Sequence, residues 1–184
     1  MNAANERGET ALMRALLREG NFDKLQALIE HGANVKVKDN DGNSVLLIAA
    51  AQNYTSGISS NDDYCKIAEH LLECGASPNV KESKRGCTAL HFAVASNNHG
   101  FVASLLSAGA DIDAQNSQGD TALMGAVRLE LMGMTSLLMQ RGADANATNA
   151  AGETAQFIAA QCETTDVMCV LLEAGADVNT VDTA

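Results

Sequence analysis

The chain has 184 residues, 46% of them hydrophobic, which is enough to bury the core of one ordinary domain or of a short repeat array. Twelve Lys and Arg against 23 Asp and Glu give a formal net charge of −11, and a surface this acidic repels nucleic-acid phosphates and anionic membranes. Aromatic residues make up only 3%, so the core must be built from Ala, Leu, Val and Met, which favours close-packed helices over a β-sandwich.

The sequence contains no sign of membrane insertion or export. No apolar stretch approaches the roughly 20 residues that a membrane helix needs, and the first ten residues lack the basic start and apolar run of a signal peptide. We therefore expect a cytoplasmic protein; removal of an upstream signal would instead indicate the periplasm or secretion. The five cysteines include no C-x-x-C pair, which favours reduced thiols used as small hydrophobic residues.

Two short markers recur five times along the chain in a fixed register. The first, Gly-x-Thr/Ser-Ala/Val, begins at Gly8, Gly42, Gly86, Gly119 and Gly152. The second, a Gly-Ala pair, begins at Gly32, Gly75, Gly109, Gly142 and Gly175. The intervals between successive Gly-Ala pairs are 43, 34, 33 and 33 residues, so the sequence predicts five consecutive structural units.

Each unit is predicted to contain two helices and an extended finger. The Thr or Ser of the first marker is expected to cap a short Ala-rich helix, as before residues 89–95. The second helix has apolar residues at helical spacing, as at Phe101, Val102 and Leu105, and the Gly of the Gly-Ala pair is expected to end it in the left-handed conformation. The segment that follows ends in turn residues and is expected to form the finger.

The second unit is ten residues longer than the others, and the excess lies between its two predicted helices. The additional segment falls within residues 53–64, is rich in Ser, Asn and Asp, and contains both tyrosines of the chain. We expect a loop here that presents Tyr54, Ile58 and Tyr64 to a partner, because tyrosine is common among binding hot spots. A neutral insertion is the alternative, since loops lengthen at little entropic cost.

Candidate chemical sites are weak. Cys65, His70 and Cys74 lie close together but lack the fourth ligand of a structural zinc site. Cys87, at a finger position expected to be exposed, and the nearby His91 lack the further groups of a nucleophilic site. We therefore expect no catalytic residue, metal or cofactor. Most carboxylates fall in the predicted loops and are expected to be solvated: Asp39, Asp41, Glu130, Asp144, Glu153 and Asp177.

The 33-residue period, with Thr-Ala-Leu-His-Phe-Ala at 88–93 and Leu-Leu-Glu-Ala-Gly-Ala-Asp-Val-Asn at 171–179, resembles the ankyrin repeat. The resemblance implies an all-α solenoid of paired antiparallel helices with β-hairpin-like fingers, in one domain over 1–184. It also implies that His91 is tied to the backbone of its own repeat. Gln156 replaces a stacking leucine and is expected to meet water at the end of the stack. The repeats would span 5–37, 38–80, 81–114, 115–147 and 148–181.

Ankyrin repeats bind other proteins, so the resemblance implies a monomeric, non-catalytic interaction module that binds neither nucleic acid nor membranes. The expected partner is a protein with a basic surface or an enzyme cleft, and the module would act as an inhibitor or immunity-type self-protection factor. The alternative is a targeting or scaffold domain of a larger enzyme or effector system. By resemblance, contacts would use the concave face, the finger tips and the second unit's loop: Asn40, Asp41, Asn43, Gln52, Tyr54, Ile58, Tyr64, Lys84, Arg85, Ser96, Gln118, Asp120, Arg128, Leu129 and Gln161.

Overall fold

Ten α-helices form five consecutive pairs in the part of the chain that the structure describes. This computed structural model describes residues 2–19, 22–56, 61–162 and 165–174. The helices are α1 (Ala11–Glu19), α2 (Phe22–Glu30), α3 (Val45–Ser56), α4 (Asn61–Glu73), α5 (Ala89–Ala95), α6 (His99–Ser107), α7 (Ala122–Arg128), α8 (Met132–Gln140), α9 (Ala155–Gln161) and α10 (Asp166–Glu173). Extended pairing in those ranges is confined to two isolated bridges, Ala4 with Thr10 and Lys38 with Ser44. The predicted all-α class is confirmed.

The chain divides into two compact units, Met1–Ala110 (unit 1) and Asp111–Ala184 (unit 2). We call the first helix of each pair an inner helix and the second an outer helix. In unit 1, inner α3 packs between α1 and α5, and outer α4 packs between α2 and α6. In unit 2, inner α7 packs against α9 and outer α8 against α10. Within each unit, therefore, a helix contacts its own partner and the equivalent helix of a neighbouring pair.

Side-chain hydroxyls cap the inner helices, as predicted. Four of them accept the backbone N–H three residues later at 3.2–3.4 Å: those of Thr10, Ser44, Thr121 and Thr154. At the N-cap of α5, the Thr88 hydroxyl lies 2.9 Å from Nδ1 of His91, and that nitrogen accepts the Thr88 backbone N–H at 3.2 Å. His91 therefore has the structural role that the resemblance implied.

Glycines in the left-handed conformation end four outer helices, as predicted. Their φ angles lie between +82° and +88°: Gly32, Gly75, Gly109 and Gly142. Gly175 lies outside the described residues. Two inner helices end differently, at Asn97 and Glu130, whose φ of +53° places non-glycine residues in the same region.

Two expectations about exposure are wrong. Gln156 is only 6% exposed, because its position on α9 is buried in every pair, where the other inner helices carry leucine. Cys87 is 9% exposed. The finger that precedes it closes through a hydrogen bond from the Glu82 N–H to the Cys87 carbonyl, so Cys87 lies at the base of the finger beside Thr88 and not at its tip.

The additional residues of the second pair are mostly helical, which corrects the predicted loop. Helices α3 and α4 have 12 and 13 residues, whereas α5 and α6 have seven and nine. The insertion extends both helices, because continued helix satisfies the backbone hydrogen bonds that a loop would leave open. Tyr54 thus lies on α3 and Tyr64 on α4, and Ile58 lies outside the described residues.

Backbone hydrogen bonds join neighbouring fingers within each unit. In unit 1 the Asn40 N–H donates to the Arg7 carbonyl at 3.0 Å. In unit 2 the Ala150 N–H donates to the Gln118 carbonyl at 2.9 Å. The approach requires glycine: a Cβ on Gly119 would lie 2.5 Å from the Ala150 nitrogen.

Substitutions at two glycines with the same backbone conformation can distinguish the cost of backbone strain from the cost of disturbing the contact between fingers. Gly109 and Gly119 have φ of +82° and +78°, but a Cβ on Gly109 would have no heavy atom within 4 Å. We expect Gly109→Ala to lower the free energy of unfolding by about 1 kcal/mol from φ strain alone. Gly119→Ala should cost at least about twice as much, because the next finger must also move. Chemical denaturation measures both losses, and equal losses would contradict the finger contact.

A second prediction concerns Thr135, which is fully buried on α8. Its hydroxyl has no hydrogen-bond partner among the described residues. A buried unsatisfied polar group costs about 1–3 kcal/mol, so the nearly isosteric Thr135→Val should raise the free energy of unfolding by about 1 kcal/mol. The control is Thr121→Val in the same unit, which removes a buried hydroxyl that caps α7 and should destabilise by a similar amount. Destabilisation by both changes would mean that Thr135 has a bonding role.

Candidate functional site

A groove lined by carboxylates lies in unit 1, between the fingers and the inner helices α1, α3 and α5. It encloses about 260 Å³. Its lining combines apolar side chains of the inner helices, including Phe92, with four carboxylates of the fingers: Glu9, Asp39, Asp41 and Glu82. We call this surface the acidic groove. The structure brings three of the predicted contact residues together here: Asp41, Asn43 and Gln52.

The second finger holds one of these carboxylates rigidly and leaves another open. Oδ1 of Asp39 accepts the backbone N–H groups of Asp41 and Asn43 at 3.0 and 2.8 Å, and its Oδ2 accepts the Asn43 side-chain amide at 2.9 Å. The Asp41 side chain is exposed and accepts no hydrogen bond from the described residues. Asp39 therefore builds the turn, and Asp41 is available to a ligand.

The other two carboxylates come from neighbouring fingers. Glu9 Oε2 lies 3.2 Å from Arg14 Nη1, the one cation among the described residues that pairs with any of the four. Glu82 accepts the backbone N–H groups of Lys84 and Arg85 at 2.9 and 2.6 Å. Four carboxylates with one paired cation make the groove strongly negative.

An aromatic pair adjoins the carboxylates. The half-exposed ring of Tyr54, on the extended end of α3, lies 6.4 Å from the ring of Phe92, which lines the groove. The residue before Tyr54 is anchored: the Asn53 amide donates to the Ser96 hydroxyl at 2.7 Å and accepts from the Asn98 amide at 3.5 Å. These bonds fix the end of α3 and, with it, the position of Tyr54.

The remaining predicted contacts of unit 1 lie apart from the groove or serve the fold. Asn40 is tied to the first finger, its amide donating to the Glu6 carbonyl at 2.9 Å. Ser96 bonds within the scaffold, as described above. Tyr64 is half-buried on α4, and the side chains of Lys84 and Arg85 are exposed beyond Glu82.

In unit 2, two predicted residues bind each other. Arg128 Nη2 lies 3.2 Å from Asp120 Oδ1 and 3.1 Å from Glu153 Oε2, and the Asn149 amide donates to both oxygens at 2.9 Å. We call these four residues the Arg128 cluster. The hydrogen bonds from Asn149 and Arg128 hold the pKa of Glu153 below its ordinary value. The other predicted residues of this unit, Gln118, Leu129 and Gln161, are exposed.

Sequence reasoning missed four members of the acidic groove: Glu9, Asp39, Glu82 and Phe92. The sequence contains a signal for two of them, because their positions in the repeat mark them as finger residues. Asp39 stands three residues before a finger glycine, and Glu9 stands directly after one. Their convergence depends on how three fingers and three helices align, which no single repeat specifies.

Two wider grooves of unit 1 have fewer charged and aromatic side chains that a ligand could contact. One of about 520 Å³ lies between α4 and α6, and its Ser104 hydroxyl donates to Glu69 at 3.1 Å. Another, of about 470 Å³, lies between α1 and α2 and is almost wholly apolar. Neither combines unpaired charge with an aromatic side chain.

The cysteines and histidines belong to the scaffold. All five cysteines fall in the described ranges and are free thiols. Cys65 donates to the Asn98 side-chain oxygen at 3.2 Å, and the His70 ring lies edge-on to Phe22 at 5.8 Å. Across the described ranges, no three metal-ligating side chains cluster. Over those same ranges, none of the helices has the length and apolar character needed to cross a membrane.

The sequence matches two family models of ankyrin repeats. One, described as ankyrin repeats (3 copies), matches residues 57–149 and 95–182. The other, described as ankyrin repeats (many copies), matches residues 12–59. Together the matches extend over nearly the whole chain.

Three curated proteins share similar segments. The chain is 33% identical over 120 residues to the nuclear factor NF-kappa-B p105 subunit of Gallus gallus, which covers 64% of this chain and 11% of that protein. It is 36% identical over 102 residues to the inactive serine/threonine-protein kinase TEX14 of Bos taurus, covering 55% and 6%. It is 33% identical over 98 residues to delta-latroinsectotoxin-Lt1a of Latrodectus tredecimguttatus, covering 52% and 7%. The chain spans 11% or less of each of these relatives.

The repeated helix pairs, with their capping hydroxyls, terminal glycines and finger turns, agree with these matches. The chain therefore belongs to the ankyrin repeat family, whose members form protein–protein interaction modules.

Proposed function

We propose that this ankyrin repeat chain is a non-catalytic module that binds a basic segment of a partner protein in the acidic groove. The observation that carries the proposal is the set of four carboxylates in one groove with a single paired cation. Like charges held together lower the stability of a fold unless a ligand of opposite charge compensates them. The groove therefore favours lysine- or arginine-bearing ligands.

The charge of the whole chain supports the same partner. A formal net charge of −11 steers positively charged surfaces toward the protein and accelerates their encounter. Two of the four carboxylates, Asp39 and Glu82, are held by backbone hydrogen bonds, so these two lose little conformational entropy when a partner binds.

Binding is confined to unit 1 in this proposal. In unit 2, Arg128 and Asn149 already satisfy the carboxylates of Asp120 and Glu153. An incoming cation would have to displace Arg128, which makes that face a poor receptor.

Two biological roles fit such a groove. As an inhibitor or immunity-type factor, the module would cover a basic rim around an enzyme's cleft. As a targeting or scaffold domain, it would bring a larger enzyme or effector to a basic partner. The second role is supported by the length of the curated relatives, in which the matching segment is 11% or less of the protein.

The five free thiols support a reducing compartment such as the cytoplasm. The formal net charge of −11 makes copies of the chain repel one another, which supports a monomer.

Neutralising the second finger tests the groove. The variant Asp39→Asn with Asp41→Asn removes two charges and keeps the turn, because Asn116 and Asn149 make the same hydrogen bonds in other fingers. We expect its affinity for a nine-residue lysine- and arginine-rich peptide to fall about five- to tenfold, as measured by calorimetry at fixed salt.

The matched control is Glu73→Gln with Glu173→Gln. It removes the same charge from exposed sites outside the groove and should change the affinity less than about twofold. If the two variants lower the affinity for the peptide equally, binding depends only on the net charge of the protein, and the groove is not the site.

A further prediction concerns the Arg128 cluster. Arg128→Gln removes a hydrogen bond that holds the pKa of Glu153 down, so an NMR titration should show that pKa move up toward its ordinary value. Because the folded pKa is lowered, Glu153 stabilises the fold above the ordinary carboxyl pKa, and this contribution is lost as the pH falls through the lowered value. The variant should therefore lose stability at neutral pH and little in acid. Arg141→Gln, on the same unit, should leave the Glu153 titration unchanged.

A further inference from the structure

The acidic groove combines negative charge with an aromatic surface in a chain that has few aromatic residues. The chain has two tyrosines and four phenylalanines; Phe92 lines the groove, and the ring of Tyr54 lies beside it, 6.4 Å from the ring of Phe92. We propose that the groove receives an arginine side chain of the partner, with its guanidinium against the Tyr54–Phe92 pair and its N–H groups directed at the finger carboxylates. This inference rests on the proposed function and adds the identity of the residue that is recognised.

The aromatic surface is fixed before any ligand binds. Tyr54 is 50% exposed, yet it sits on helix and not on a loop. Asn53, buried beside it, is bonded to Ser96 and Asn98 of the neighbouring repeat. An exposed ring on a helix that is anchored at the adjacent residue offers a face for stacking at low entropic cost.

The chain itself provides an example of a guanidinium bound between finger carboxylates. In unit 2, Arg128 contacts Asp120 and Glu153, which belong to two consecutive fingers. Arg128 stands nine residues after the finger glycine Gly119. This arrangement demonstrates that the spacing of successive fingers suits one guanidinium.

In unit 1 the same register position carries no cation. Nine residues after Gly42 the sequence has Ala51, and Ala51 lines the acidic groove. The short side chain of Ala51 brings no cation to Asp39 and Asp41, whereas Glu9 is paired with Arg14. A partner's arginine would supply the missing group.

Arginine fits these surroundings better than lysine. A guanidinium is planar, weakly hydrated and stacks on aromatic rings, and its five N–H donors can contact carboxylates from two directions. An ammonium group is compact and strongly hydrated, so it gains less from the rings. The aromatic pair should therefore determine the preference for arginine, and the carboxylates the affinity for either cation.

The test uses the full chain and a nine-residue alanine–serine peptide with two fixed lysines and a central arginine, lysine or citrulline. Calorimetry should give the arginine peptide about five- to tenfold higher affinity than the lysine peptide. Citrulline has the shape of arginine without its charge, and its peptide should bind at least as weakly as the lysine peptide. Equal affinities for arginine and lysine would overturn the inference.

Variants of the ring assign the preference to Tyr54. Tyr54→Leu should lower the affinity for the arginine peptide about five- to tenfold and for the lysine peptide less than about twofold. Tyr54→Phe keeps the ring and should keep the preference. Phe157→Leu, which alters an exposed ring of unit 2, is the control and should change nothing. Thermal melting verifies that each variant is folded.

A variant at Ala51 fills the site from within. Ala51→Arg places a guanidinium of the chain itself at the repeat position of Arg128. It should lower the affinity for the arginine peptide about tenfold. Ala51→Gln, which adds bulk without charge, should weaken it less than about twofold. Equal weakening by both would contradict a guanidinium site.

The outcomes separate this inference from the proposed function. Asp39→Asn with Asp41→Asn could lower the affinity for both basic peptides while Tyr54→Leu changes neither affinity. In that case the groove binds a basic segment, and the inference of arginine recognition is wrong. If the carboxylate variant changes neither peptide, the proposed function itself fails.

Discussion

Most finger turns depend on one side-chain oxygen that accepts two backbone N–H groups; the turn at Glu82 uses both carboxylate oxygens instead. In the second finger this oxygen is Oδ1 of Asp39, which accepts from Asp41 and Asn43. In unit 2, Asn116 and Asn149 make the same pair of bonds. A turn held in this way keeps the backbone of the finger tip in one conformation.

Asparagine makes this turn as well as aspartate does, so the charge of Asp39 is not needed for the fold. The same holds for the exposed Asp41, which accepts no hydrogen bond from the described residues. Because the fold does not require these two charges, they are available to bind a partner. Their position in one groove is what distinguishes the inner side of unit 1 from an ordinary solvated surface.

The parts of the fold that local chemistry determines could be predicted from the sequence. A hydroxyl three residues before a free N–H caps a helix wherever it occurs, and a glycine past the last turn ends one, so Thr121 and Gly142 could be assigned without a structure. Exposure depends on neighbours that one repeat does not specify. The sequence therefore predicts exposed side chains for Gln156 and Cys87, which are buried. The polar composition of residues 53–64 likewise favours a loop, whereas most of these residues extend α3 and α4.

Only part of the proposed site could be derived from the sequence, for the same reason. Asp41, Asn43 and Gln52 could be named because finger tips and inner helices bind partners in this family. Asp120 and Arg128 satisfied the same rule, yet they bind each other. Whether a finger residue is available to a partner depends on its pairing across successive fingers, and that requires coordinates.

The lack of a paired cation beside Asp39 and Asp41 is the main physical argument that the acidic groove binds a partner. In unit 2 the register of Ala51 carries Arg128, which pairs with Asp120 and Glu153. A cation near Asp39 and Asp41 would stabilise unit 1 in the same way, because uncompensated like charges weaken a fold. Unit 1 instead carries alanine there and keeps a half-exposed tyrosine anchored beside the vacant register position. Local rules of stability are broken most often where a protein binds something else, and a guanidinium, a cation with flat, weakly hydrated faces, is the ligand that we propose for these groups.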